Sequence, residues 1–167
     1  MTDMNLTEEN FNCIQEDNSQ EARDAQWENS NAIFEEFEKY LKNKGLSEEL
    51  IDRHLRYSVF FAMHYLFVYA DEQSMLEVNE TTIKTFLGNW YIRKTSSPNM
   101  PEIKKILSAI YELFEFIHNQ GFILEEELEE IKNVCKDKKW FDYRLKTYHT
   151  AQGEAFRRWI EEYNYDW

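Results

Sequence analysis

Apolar positions recur every three or four residues through most of the chain, and the runs they form are separated by short polar breaks. The first solid run carries Ile33, Phe34, Phe37, Tyr40 and Leu41. Ser30 or Asn31 stands where an N-cap belongs, and Gly45 stands where a left-handed C-terminal residue would stop the helix. The second run opens on Ser47, with Glu48 and Glu49 in the first turn, where the helix dipole favours acids. It extends to about Ala70, and its second half is apolar on every side, which marks a central helix. Asn79 caps a third helix with a stripe of Ile83, Phe86, Leu87 and Trp90. Gly88 interrupts that stripe at a cost of about 1 kcal/mol relative to Ala, so a close helix crossing is expected there.

The segment "KTSSPNMPE" breaks the chain, and Asn99 with Glu102 forms a capping pair for the fourth helix. Its stripe of Ile103, Ile106, Leu107, Ile110, Leu113, Phe114 and Ile117 is unbroken until Gly121. A fifth, acidic helix is predicted from Leu124 to Val134, and one or two short ones between Trp140 and Tyr163. The expected core includes Leu55, Ala62, Leu66, Phe86, Trp90, Ile106, Ile110, Leu113 and Phe114. Residues 1–29 place Leu6, Phe11, Ile14 and Trp27 too sparsely for a stripe, and they read as a disordered acidic leader.

Composition narrows the class. Only 4 Gly and 2 Pro in 167 residues leave little material for hairpins, so the fold is all-α. The longest charge-free apolar stretch, Tyr57–Ala70, is 14 residues, against roughly 20 for a membrane span. The first residues have neither a basic nor an apolar export region, and Cys13 and Cys135 match no metal or redox spacing. The chain reads as cytoplasmic, with two reduced thiols. His54, His64, His118 and His149 are scattered, so no metal site is expected, and His64 reads as a hydrogen-bonded core residue. No phosphate loop, nucleophile elbow or Cys/His pair appears. The chain reads as a non-enzyme without a cofactor.

The net charge of −13 is unevenly spread: −7 over residues 1–29, −2 over 30–94, −5 over 95–135 and +1 over 136–167. Phosphate is repelled at long range by such a chain, although local basic faces remain open to it. The net-basic end interleaves "KDKKW", Arg144, Lys146, Arg157 and Arg158 with Trp140, Tyr143, Tyr148 and Trp159. That composition suits a nucleic-acid platform. It equally suits a peripheral helix whose aromatics pack and whose cations bridge to the acidic helix at 125–130, and that reading is preferred.

The segments "FEEFEKYLKNKGLSEELIDRHLRYSVFF", "FLGNWYIRK" and "SSPNMPEIKKILSAIYELFEFIHNQGFI", in that order, resemble the N-terminal, SAM-like core-binding domain of phage integrases and other tyrosine recombinases. Tyr40, Leu41, Gly45, Leu46, Ser47, Ile51 and Leu55 occupy the first family pattern, and Ile103, Leu107, Phe114, Phe116, Gly121 and Ile123 the second. The resemblance covers about residues 32–123. It implies a compact four-helix bundle over 30–123, behind the leader at 1–29 and followed by a helical extension at 124–167 packed on the bundle. It also implies that exposed helix faces clamp duplex DNA, with Arg53, Arg56, Lys104 and Lys105 as phosphate contacts; Arg93 and Lys94 are further candidates. Two departures matter: the 44 residues after Ile123 are too few for the recombinase catalytic domain, and residues 30–123 are not basic as that domain normally is. Each cation also has a plainer role. Arg53 and Arg56 would pair with Asp52 and Glu49 on their own helix, Lys104 and Lys105 would form a solvated face, and Arg93 and Lys94 would close a helix terminus. The partner is therefore either duplex DNA or another protein.

Overall fold

The computed structural model describes residues 5–12, 19–70 and 74–164. Among these the chain is all-helical, with nine α-helices: α1 Glu8–Phe11, α2 Gln20–Asn43, α3 Glu48–Val59, α4 Glu80–Thr85, α5 Tyr91–Lys94, α6 Met100–Asn119, α7 Glu125–Lys136, α8 Lys138–Thr150 and α9 Gly153–Glu161. Two π-helical segments, Phe60–Leu66 and Phe86–Trp90, continue α3 and α4. The caps follow the sequence pattern. Ser47 and Asn79 accept from Leu50 and Thr82 N–H, Asn99 accepts from Glu102 N–H at 2.9 Å, and Gly45 and Gly121 turn left-handed at φ 79° and 85°.

Helix α6 is the axis of the molecule. Its expected stripe is buried throughout, and Ala109 and Phe116 are buried with it. Helices α3, α7, α8 and α2 pack around it. Each fully enclosed Ile, Leu or Phe side chain is worth about 1.5–3 kcal/mol, so this stripe dominates the stability of the bundle. Of the expected core, only Leu55 and Trp90 are partly buried rather than enclosed, and both still pack against it.

The acidic leader differs from expectation. Residues 1–4 and 13–18 lie outside the described residues, but the rest of the leader is structured. Phe11 is fully buried, with its ring 4.7 Å from that of Phe122, and α2 begins eleven residues earlier than Asn31, at Gln20. The first turns of α2 carry no apolar stripe because they attach through amides. Gln26 donates to Asn12 O at 3.0 Å, Asn29 donates to Glu9 O at 3.1 Å, and Ser74 donates to Phe11 O at 3.1 Å. One buried aromatic and a few hydrogen bonds replace the periodicity on which the disorder reading rested.

The π-helical turns alter which side chains face inward. Phe67 N–H bonds to Ala62 O and Ala70 N–H to Tyr65 O, each spanning five residues. A π turn holds an extra residue, which rotates the following side chains by about 100° relative to an α-helix. Phe61, Ala62, Tyr65 and Leu66 therefore face the core while His64 is exposed, which corrects its core assignment. The buried histidine is His54, on the face of α3 that meets α6.

In the second π segment a Cβ on Gly88 would stand 2.5 Å from Trp140 Cη2. The glycine is what admits α8 to this crossing. Among the described residues no ion pair joins the cations of the C-terminal region to the acids at 125–130; Lys138 reaches α7 only through the Cys135 carbonyl. Lys146 pairs with Asp142 one turn back at 2.5 Å, and Arg144 with Glu162 at 3.0 Å. Packing of α8 against the Phe86–Trp90 segment turns Arg144 inward, where its Nε donates to Gly88 O.

Candidate functional site

An open groove of about 720 Å³ lies between α3, α5 and the start of α6. Helical spacing builds it. Asp52, Leu55, Arg56 and Val59 stand at intervals of three and four along one face of α3, Phe60 and His64 extend that face into the π segment, and Glu102 and Ile106 project from successive turns of α6. Tyr91 and Thr95 close the third side.

Its polar groups are largely satisfied by one another. The Tyr57 hydroxyl donates to the Glu102 carboxylate; burial, reinforced by that carboxylate, raises the phenol above its ordinary range. Burial and the nearby Glu102 charge push Tyr91 up to about 12, so both phenols stay protonated at any physiological pH. Asp52 and Arg56 approach to 4.0 Å, Glu102 and Lys105 to 3.9 Å, and the Arg56 guanidinium lies 5.4 Å from the Tyr57 ring centre. The result is an apolar floor with a rim of opposed charges, suited to receiving apolar side chains.

Apolar surface continues beyond the groove on two sides. Val59 also borders a shallow recess formed with Phe34, Met63 and Trp27. On the other flank Phe60 meets Trp90 with ring centres 5.9 Å apart, and Trp90 meets Tyr69 at 4.8 Å. Trp27, Val68 and Tyr69 are 51%, 62% and 54% exposed, a degree of exposure that marks contact surfaces when such residues flank a groove.

The six cations singled out from the sequence do not form one stripe. Arg56 lines the groove, Lys105 joins its rim through Glu102, and Lys94 precedes the groove residue Thr95. Arg53 is half-buried, and its Nε is enclosed without a hydrogen-bond partner among the described residues. Arg93 is committed elsewhere: Nε donates to Asn89 at 2.7 Å and a terminal nitrogen to Asn164 at 3.1 Å. It ties the C-terminal turn to the bundle, a more specific task than closing its own helix.

Lys104 is separate again. It shares a depression of about 290 Å³ with Lys138, Lys139, Asp142 and Met100. Burial, together with the charge of Lys104, lowers the affinity of Lys138 for its proton, although Lys138 also donates to Cys135 O. Three lysines thus gather at the junction of α6 and α8, a convergence that residues 104 and 138 could not reveal in one dimension. Tyr57 and Glu102, 45 residues apart, were equally hidden.

Cys135 is a buried free thiol, raised to about 12 by burial; Cys13 lies outside the described residues. No cluster of three or more His, Cys, Asp or Glu side chains that would hold a metal is found among the described residues, and no helix there is long and apolar enough to cross a membrane. No known protein family, curated protein or solved structure matches the chain.

Proposed function

We propose that the chain is a non-enzymatic interaction module that uses an integrase core-binding-like, SAM-like bundle as a scaffold and docks a partner protein in the α3–α5–α6 groove. The observation that carries this reading is the groove itself, whose floor is apolar and whose charges are opposed in pairs along its rim. A phosphate surface needs the reverse, cations free to release counterions. The four-helix scaffold is supported by the order of α2, α3, α4–α5 and α6 and by the left-handed Gly45 and Gly121 that follow α2 and α6.

A second reading, contact with duplex DNA, is favoured by one feature, the Lys104–Lys138–Lys139 cluster. One pair of experiments separates the two. Peptides selected from a displayed library on the full chain should be apolar and aromatic, and they should lose at least tenfold in affinity on Val59→Glu. Duplex DNA titrated at two salt concentrations should bind only weakly. Sub-micromolar, strongly salt-dependent DNA binding that is lost when the three lysines become Gln, with no peptide enriched, would replace the first reading by the second.

A further inference from the structure

The C-terminal turn is gripped by groups that the groove does not use. Asn89, 1% exposed, donates from its amide nitrogen to Ile160 O at 2.9 Å and Glu162 O at 2.7 Å. Arg144, 2% exposed, donates through Nε to Gly88 O at 2.9 Å. Its terminal nitrogens reach Trp159 O at 3.0 Å, Glu162 O at 3.3 Å and the Glu162 carboxylate at 3.0 Å. The guanidinium also lies 3.9 Å from the Trp159 ring centre. Trp159 Nε1 returns a bond to Arg144 O at 3.1 Å. Tyr163 sets its ring edge-on to Trp140 at 5.0 Å, from a left-handed backbone at φ 57°.

The hydrogen bonds of this grip fall on residues 159–164, and in the segment before it the half-buried Phe156 packs back on α8, its ring 5.7 Å from that of Tyr148. Gly153, Glu154, Ala155, Arg157 and Arg158 are exposed, and a space of about 300 Å³ remains between α8 and α9. The link itself is short: Ala151 and Gln152 are extended and Gly153 turns the chain back at φ 59°. The site reads mainly main-chain carbonyls, with Trp159 and Glu162 as anchors. An empty site would leave a buried guanidinium and a buried carboxamide without partners, so it does not stay vacant.

We infer that this cleft is an exchangeable segment site, and that its second occupant is residues 159–164 of another copy of the same chain, giving a reciprocal dimer. The argument is one of identity. A second copy offers the same carbonyls, the same carboxylate and the same two aromatic rings, so exchange conserves every bond described above. Only the hinge at 151–153 must change, and the left-handed Gly153 is the residue that holds it folded back. The short tether keeps the segment on its own chain in dilute solution, and raising the concentration favours exchange.

The test is the mass of the full chain in solution, by light scattering after size separation. A β-branched residue is denied the left-handed backbone, so Gly153→Val should open the hinge. We expect a two-chain species at least tenfold more abundant than in the wild type at equal concentration. Adding Trp159→Ala to that chain should return it to one-chain mass, because the grip is what joins the copies. A Gly153→Val chain that stays single at every concentration with its core folded overturns the inference, and so does a dimer that survives Trp159→Ala. Deletion of Gln152, which shortens the tether, gives the same two readouts should the valine chain fail to fold.

Discussion

Along the seam between α3 and α6 the chain is held by shape. Ile51, Ile103, Ile106, Leu107 and Ile110 are buried there, none more than 5% exposed, and the stabilisation is spread over many side chains of similar value. Around Arg144 it is held by a few directional bonds to carbonyl oxygens, with one buried cation at the centre. Loss of a seam residue leaves a void that its neighbours partly fill, whereas loss of the cation leaves several acceptors unpaired at once. The first region should fail globally and the second locally, because opening free energies vary across a structure with the contacts that each part buries.

The largest effect is expected at the seam. Ile110→Ala should cost roughly 2–5 kcal/mol of global stability, read by denaturant unfolding with an unchanged m-value. A cost below about 0.5 kcal/mol would place Ile110 outside the well-packed interior. Deletion of residues 1–12 should come next, at about 1.5–3 kcal/mol, chiefly through the burial of Phe11. An unchanged melting temperature would show that the leader is dispensable. Arg144→Met is a test of locality. It should cost about 1–3 kcal/mol and raise amide exchange in 159–164 while leaving the amides of α6 protected; uniform loss of protection would merge the two regions into one cooperative unit.

The smallest effect is a pH dependence seated at the seam. Burial holds His54 below its ordinary range; Arg53 and Lys44 act in the same direction and Glu112 acts against them. The unfolded chain takes up the proton near pH 6.5 and the folded chain only at lower pH. Stability is therefore complete above about 6.5 and declines as pH falls from there, by at most about 1.4 kcal/mol per pH unit, until the folded form also protonates. His54→Gln should flatten that slope. Glu115, whose pKa is lowered first by its bond from Lys44, adds acid sensitivity only in the carboxylate range, so the two windows can be told apart.

What could be read in one dimension follows the same division. The seam was legible because burial by shape imposes periodicity: the α6 stripe, the Ser47 and Asn99 caps and the stops at Gly45 and Gly121 all stand where the pattern placed them. Gly88 was legible as a crossing, although not which helix crosses it. Attachments made by single anchors were not legible. Phe11, Gln26 and Ser30 hold the leader without any repeat, and Arg144 resembled one more surface cation until α8 was seen to turn it inward. The groove was half legible. Arg56 was singled out by its position in the family pattern, but the pairing of Tyr57 with Glu102 depends on how α3 lies on α6.

The π-helical segments also make chain length a structural variable. Each contains one residue more than an α-helix of the same rise would need, and removing that residue from Phe60–Leu66 would restore α-helical phase. His64 would then swing inward and part of the aromatic set facing Phe86 would swing out. The segment from Ser47 to Ala70 should accordingly tolerate exchange of one aromatic for another far better than the gain or loss of a single residue. In any relatives the aromatic identities would drift while the spacing between Ser47 and Ala70 stayed constant.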